Sequence, residues 1–186
     1  MTDIAVKQPP VGDALVERAA AGDEIAFARL IAEHNAAMAR VAYVIIGDRE
    51  ATLDAVQSAW TIAWRRLGSL RDVAQVRSWL IAIAANEARQ HRRRERRASV
   101  VDISHAMDKT GAADPADDIN VVDLERALRS LGADDRRLLA LRFAGGLDSN
   151  EISQYLGLSA SGVRSRLSRL IDRLRVELDT DEGNSR

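Results

Sequence analysis

The chain has 186 residues with a formal net charge of -1, 46% hydrophobic and 30% charged residues, and no cysteine. That length holds one ordinary domain or two small ones and is too short for a large enzyme core. The composition is that of a soluble globular protein: disulfides are excluded, and no apolar run reaches the length a membrane span needs. The start MTDIAVKQPP lacks the basic and apolar segments of a secretory signal, so a cytoplasmic location is expected.

Residues 1–15 read as a disordered N-terminal extension. From Ala26 to Ile46 the apolar residues Phe27, Leu30, Ile31, Met38, Val41 and Ile45 recur at steps of three and four, the stripe of one amphipathic helix, which GDRE then stops. A second stripe, Leu53, Val56, Trp60, Ala63, Trp64 and Leu67, runs to Gly68. Its opposite face presents Asp54, Gln57, Ser58, Thr61 and Arg65 and is free for a partner. After GSLRDVAQ a third helix turns Val76, Trp79, Leu80, Ile83 and Ala84 inward and ends in NEARQHRRRERR. Three such helices with short joins predict a bundle over residues 16–97.

Between residues 98 and 120 the periodicity fails, and Gly111, Pro115 and five aspartates (Asp102, Asp108, Asp114, Asp117, Asp118) stand against Lys109. A stretch so long without pattern reads as an acidic, flexible linker. Helical pattern returns over residues 121–178, first in VVDLERALRSL, then in DDRRLLALRFAGG, where Asp134 or Asp135 is the expected N-cap and Gly145-Gly146 the stop. Residues 179–186 read as a frayed, disordered tail. The fold class is therefore all-α, two small helical domains joined by a linker.

The segment LDSNEISQYLGLSASGVRSRLSRL carries the chemistry. Asp148 and Glu151 fit a capping box, Gly157 permits a sharp turn, and Ser159 caps the next helix. That helix buries Val163, Leu167, Leu170, Ile171, Leu174 and Leu178. Ser161, Arg164, Ser165, Ser168 and Arg169 lie on its other side, where small residues let the backbone approach a major groove and arginine can pair bidentately with guanine. Arg166 and Arg173 sit toward the flanks, better placed for phosphates. Exposed arginines usually only solvate a helix, but here turn, cap and inner stripe together make a helix-turn-helix.

Other residues read as structural. His34 lies on an apolar stripe with no second ligand at metal spacing, and Trp60, Trp64 and Trp79 occupy inward positions as core fillers. Gly145-Gly146 lacks the lysine-serine pair of a phosphate loop. No catalytic constellation, metal set or cofactor motif is found, so the chain is not expected to be an enzyme and no cofactor is implied. The run His91 to Arg97, five arginines against one glutamate, fits a solvated helix end as well as a phosphate clamp.

GDEIAFARLI, GDREATLDAVQSAWTIAWRRL, VRSWLIAIAANEARQHRRR and LRFAGGLDSNEISQYLGLSASGVRSRLSRLIDRL stand in the order and spacing of one family. Through them the chain resembles the ECF (extracytoplasmic function, group 4) sigma factors of bacterial RNA polymerase. The resemblance implies a region 2 bundle, a region 4 helix-turn-helix, and a sigma factor that directs promoter-specific initiation by recognising -35 and -10 elements and aiding DNA melting. Asp54, Gln57, Ser58 and Thr61 would dock on the clamp helices of the large subunit of core RNA polymerase, and region 4 would meet the flap. The -10 element would be met by Arg71, Asp72, Gln75, Arg77, Asn86, Arg89, Gln90 and Arg93, in part around a flipped base. The -35 element would be met by Ser161, Arg164, Ser165, Arg166, Ser168 and Arg169. An anti-sigma factor is a further partner of the family. Ala55 and Ser58 depart from its commoner residues at the polymerase contact, and Asp72, Ala85 and Gln90 depart at the -10 reader and leave the -10 sequence open. Two other classes fit the residues alone: a stand-alone helix-turn-helix regulator, and a helical protein-interaction module.

Overall fold

The structure is a computed structural model that describes residues 11–101, 127–128 and 130–184. Apart from short 3-10 and π turns, every regular element among these residues is an α-helix. The aspartates at positions 102, 108, 114, 117 and 118 lie outside the described residues.

The first helix, α1 (Val11–Ala20), overlaps the stretch expected as an extension. It is held because Val16 and Ala19 are buried against Ala26, Leu30 and Leu67. Arg18 Nε donates to Asp23 at 2.9 Å, and Asp23 caps α2 (Glu24–Ile46) by accepting from the Ala26 amide at 3.0 Å. One carboxylate thus ties α1 to the start of α2.

The GDRE stop works through two residues. Gly47, at φ +78°, ends α2 in the left-handed region, with its amide donating to the Tyr43 carbonyl at 2.7 Å. Asp48 then caps α3 (Arg49–Arg66) through the Ala51 amide at 2.8 Å. Val56, Trp60, Ala63 and Leu67 are buried as the stripe requires, and Trp60 Nε1 donates to Asn35 Oδ1 at 2.9 Å. The stripe is narrower than expected, since Leu53 is 62% exposed and Trp64 40% exposed. Phe27 meets Trp60 and Trp64 edge-on, with ring centroids 5.6 and 4.7 Å apart, which covers one side of the Trp64 ring.

Two short 3-10 turns, Leu67–Ser69 and Val73–Gln75, lead into α4 (Val76–Val101), which continues past the expected start of the linker. The second half begins with α5 (Ala133–Leu139), whose N-cap is Gly132 rather than Asp134 or Asp135. Asp135 is drawn instead toward the last helix, as described below. A π turn over Ala140–Ala144 closes with the Gly145 amide donating to the Ala140 carbonyl at 2.8 Å. Gly146, at φ +66°, completes the expected stop. Helix α6 (Ser149–Leu156) carries the full capping box of Asp148 and Glu151. Gly157 turns at φ +66°, and Ser159 Oγ accepts from the Gly162 amide at 3.0 Å at the start of α7 (Ala160–Asn184). This last helix runs past Leu178 into the stretch read as a tail.

The two halves share one apolar core. Met38, Val41, Ala42 and Ile45 from α2, and Leu80, Ile81, Ala84, Ala85 and Ala88 from α4, form a continuous buried cluster with Leu138, Leu141, Leu147, Ile152 and Leu170 of the second half. Burying a side chain of this size stabilises by roughly 1.5–3 kcal/mol, so the shared core is a substantial driving force for contact between the halves. It places the C-terminal unit against both α2 and α4.

His34 sits at the edge of this bundle with only 7% of its surface exposed. Burial lowers its pKa from the ordinary 6.5; Glu33 raises it and Arg77 lowers it further. A histidine whose folded pKa is depressed is protonated first in the unfolded chain, so its contribution is complete above about pH 6.5 and declines as pH falls below it. In His34→Gln, the denaturant midpoint should fall less between pH 7 and pH 5 than in the parent chain. An unchanged slope would assign the acid sensitivity to other groups.

Candidate nucleic-acid interface

The helix-turn-helix is made by α6, the Gly157 turn and α7. Ile152 and Val163 are completely buried, Leu167 and Leu170 nearly so, and this fixes the rotation of α7 about its axis. The same rotation leaves Ser161, Arg164, Ser165, Ser168 and Arg169 exposed on the opposite side. Arg164 has no hydrogen-bond or ion-pair partner among the described residues. Arg169 Nε donates to the Ser165 carbonyl, at 3.3 Å. Two guanidiniums one and a half turns apart, flanked by three serines, form a cationic face shallow enough for a groove.

Arg166 departs from this set. Its Nε donates to Asp135 Oδ1 at 2.8 Å and its Nη2 lies 2.7 Å from the same oxygen, while Arg173 Nη2 reaches Asp135 Oδ2 at 2.7 Å. The two arginines expected at phosphates therefore clamp α7 to α5 in this arrangement. Burial would raise the Asp135 pKa, but the hydrogen bonds and charges of Arg173 and Arg166 outweigh it and leave the carboxyl below its usual value.

In the N-terminal half, Arg71, Asp72 and Gln75 are brought together on the loop before α4. Asp72 accepts from the Ala74 amide at 3.1 Å and from Gln75 Nε2 at 2.9 Å, so loop shape and side-chain position are set by one carboxylate. Leu67 lies in the cluster with Val16 and Ala19 of α1, and Leu70 and Val73 pack against it. Asn86, Arg89, Gln90 and Arg93 follow along the exposed side of α4. Gln90 Nε2 bonds Glu87 Oε1 at 2.9 Å. Ala85, on the other side, is completely buried, so this position cannot offer a contact to DNA here.

Several of these residues are already engaged by the C-terminal unit. Arg77 Nη2 donates to the Gly145 carbonyl at 2.6 Å, Arg137 Nη2 donates to Asn86 Oδ1 at 2.6 Å, and Arg89 Nη2 lies 3.1 Å from Asp134 Oδ1. Beside them a cavity of about 600 Å³ is lined by Ile45, Ala133, Arg89, Arg92, Arg93, Arg96 and Arg97. The α3 face is different: Asp54, Gln57, Ser58 and Thr61 are all exposed, with Leu53 beside them, while Ala55 is buried beneath.

Family models for Sigma-70 region 2 and Sigma-70 region 4 match residues 30–98 and 122–174, the two halves just described. The ECF RNA polymerase sigma factor SigL of Mycobacterium tuberculosis is 30% identical over 89% of this chain and 96% of its own length. The chain belongs to the ECF RNA polymerase sigma factors. Among its relatives, NccH of Alcaligenes xylosoxydans xylosoxydans, an RNA polymerase sigma factor, is 28% identical over 94% of this chain and 98% of NccH. A protein described as a probable sigma factor, RfaY of Xanthomonas campestris, is 34% identical over 86% of this chain, which spans 42% of that relative's length. The solved structure of CnrH in complex with the cytosolic domain of CnrY superposes with a TM-score of 0.70 at 26% identity, covering 92% of this chain and 99% of that one.

For a sigma factor the matched regions coincide with the two surfaces built above, an α3 and α4 surface in region 2 and the helix-turn-helix in region 4. Sequence reasoning missed Leu53, an apolar side chain exposed within the α3 face, and Phe143, which is 63% exposed beside a cleft lined by Leu167 and Ile171. It also missed Arg136 and Arg137, which are 2% and 8% exposed. A run of two arginines on a short helix carries no signal of burial, because Ile45 and Asn86, two of the acceptors that receive them, lie far away in the chain. No helix among the described residues is long and apolar enough to cross a membrane.

Proposed function

We propose that this sigma factor binds core RNA polymerase through Asp54, Gln57, Ser58 and Thr61, with Leu53 adding apolar area to the contact with the clamp helices. Region 4 reads the -35 element with Ser161, Arg164, Ser165, Ser168 and Arg169, and the exposed Phe143 offers an apolar anchor for the flap. The loop residues Arg71, Asp72 and Gln75, with Arg77, Asn86, Arg89, Gln90 and Arg93, meet the -10 element and help separate its strands. Arg166 joins the phosphate contacts when it releases Asp135 of α5, which belongs to region 4 itself. The division proposed is residues 16–97 for region 2 and 121–178 for region 4, with 98–120 as their connection.

The observation that carries this reading is the serine and arginine face of α7, exposed and supported by a complete helix-turn-helix. The protein supplies specificity and melting in the cytoplasm, and the polymerase carries out the chemistry, so the chain itself is not an enzyme. CnrH is found with CnrY, and the more distant sigma factor RpoE of Bartonella quintana with the anti-sigma factor NepR. An anti-sigma factor that holds regions 2 and 4 together fits the compact arrangement seen here.

Run-off transcription with purified core polymerase and a genomic promoter library tests the function. Transcripts from a discrete promoter set, absent without the sigma factor, are expected. No transcript together with no binding to core would sink the proposal.

A further inference from the structure

The arginines in the second half of α4 are not spread evenly around the helix. Arg89, Arg92, Arg93, Arg96 and Arg97 recur at the three- and four-residue steps that an apolar stripe has in an amphipathic helix. All five line the cavity of about 600 Å³, together with Ile45 near the end of α2 and Ala133 at the start of α5. Arg94 and Glu95 fall off the stripe. Like charges three and four residues apart repel on a helix, and each of the five has at least one such neighbour. Carboxylates do little to offset this. Arg89 lies 3.1 Å from Asp134, and Glu95 lies 3.7 Å from His91. Among the described residues Arg92, Arg93 and Arg97 have no carboxylate at ion-pair distance.

Arg92 is nonetheless held in place. Its Nη1 donates to the Ile45 carbonyl at 3.0 Å, and Arg136 Nη1 donates to the same oxygen at 3.3 Å. Ile45 lies in the last turn of α2, where the carbonyl end of the helix dipole favours a cation. Burial, and then the charge of Arg96, lower the pKa of Arg92 from the usual arginine value, while Glu95 raises it. An anion in the cavity relieves both pressures on this guanidinium.

We infer that this cavity is a binding site for a small ligand carrying several phosphate groups, a nucleoside triphosphate or an inorganic polyphosphate, with the guanidiniums on the phosphates. Arginine presents a planar fork that matches phosphate oxygens two at a time. From Arg89 to Arg97 the helix rises by about 12 Å, so a single phosphate meets only part of the stripe and a chain of phosphates meets more of it. Ile45 and Ala133 add apolar walls from two other helices, which suit a compact ligand with an organic part better than a continuous nucleic-acid strand. Arg89 and Arg93 belong to the -10 set proposed above, but Arg92, Arg96 and Arg97 do not, and the site does not depend on that reading.

The test is calorimetric titration of the full-length chain with sodium tripolyphosphate, ATP and GTP at physiological salt. Saturable binding at one site is expected. Arg93→Gln and Arg97→Gln should each weaken it by about tenfold, whereas Arg94→Gln, which removes the same charge from the same helix off the stripe, should change it by less than about twofold. Both stripe residues are exposed and give up no partner among the described residues, so without ligand the variants should melt no lower than the parent. Equal affinity for ATP and tripolyphosphate would make the phosphate chain the whole recognised group, and tighter binding of ATP or GTP would set a nucleoside against Ile45 and Ala133; either supports the site. Absence of saturable binding would overturn it, as would an equal loss in Arg94→Gln. If none of the three probes binds while a single-stranded oligonucleotide loses affinity in Arg97→Gln, the stripe is a clamp for DNA and the inference fails.

Discussion

Replacing Arg164 or Arg169 with alanine is expected to weaken binding to the cognate -35 duplex by roughly 1 to 3 kcal/mol while leaving core polymerase binding intact. The expectation follows from where the side chains are held. Val163, Leu167 and Leu170 bury one side of α7 and so fix the direction of the other, and Arg164 projects from it with no partner to replace among the described residues. Arg169 loses only its long bond to the Ser165 carbonyl when it turns to a base. Little intramolecular interaction must be broken before binding, so the contact energy is available for discrimination. The measurement is a binding titration on duplexes that vary one base pair at a time. An arginine reading a guanine edge relaxes specificity at one position when removed, whereas a phosphate contact lowers affinity for all sequences and reduces the salt dependence. A uniform loss for both variants would move base reading to the serines or to DNA shape.

The caps and stripes of α2, α6 and α7 were legible because each depends on residues within a few positions. Asp148 with Glu151, Gly157 and Ser159 act within one turn of their own location, and the structure has each as the sequence implies. Leu53 was misplaced because an apolar residue near a helix start fits a period of three or four whether or not it reaches the core; here it is 62% exposed. The helix α1 was missed although Leu15, Val16 and Ala19 carry a workable pattern, since its burial depends on Leu30 and on Leu67, far along the chain. The contact between regions 2 and 4 was the least legible feature. Ala84, Ala85 and Ala88 on α4 fit a stripe facing one helix, and nothing local says that the cluster extends to a second unit. Arg136, Arg137, Arg166 and Arg173 had the look of surface charge, and only the fold shows that Ile45, Asn86 and Asp135 receive them.

Asp135→Ala is expected to destabilise region 4 by roughly 1 to 3 kcal/mol, since it removes one carboxylate that accepts charged hydrogen bonds from two arginines. Asp135 is the less exposed member of the trio, with 18% of its side chain accessible against 38% for Arg166 and 62% for Arg173. The arginines can return to water when the carboxylate is lost, so the cost stays well below that of stranding a buried charge. The effect should depend on pH with a definite sign. The folded carboxyl is held below its ordinary 3.8, so its contribution is complete above that value and is lost as pH falls through the depressed one. Thermal unfolding of the parent and of Asp135→Ala should therefore differ most near neutrality and converge in strong acid. The same variant separates two roles of Arg166. With its tether gone, Arg166 can move to a phosphate, so -35 binding at a temperature where the variant remains folded should hold or increase. A fall in affinity there would show that the clamp between α5 and α7 is needed to present the reading helix, and would make Asp135 a positioning residue for the promoter contact.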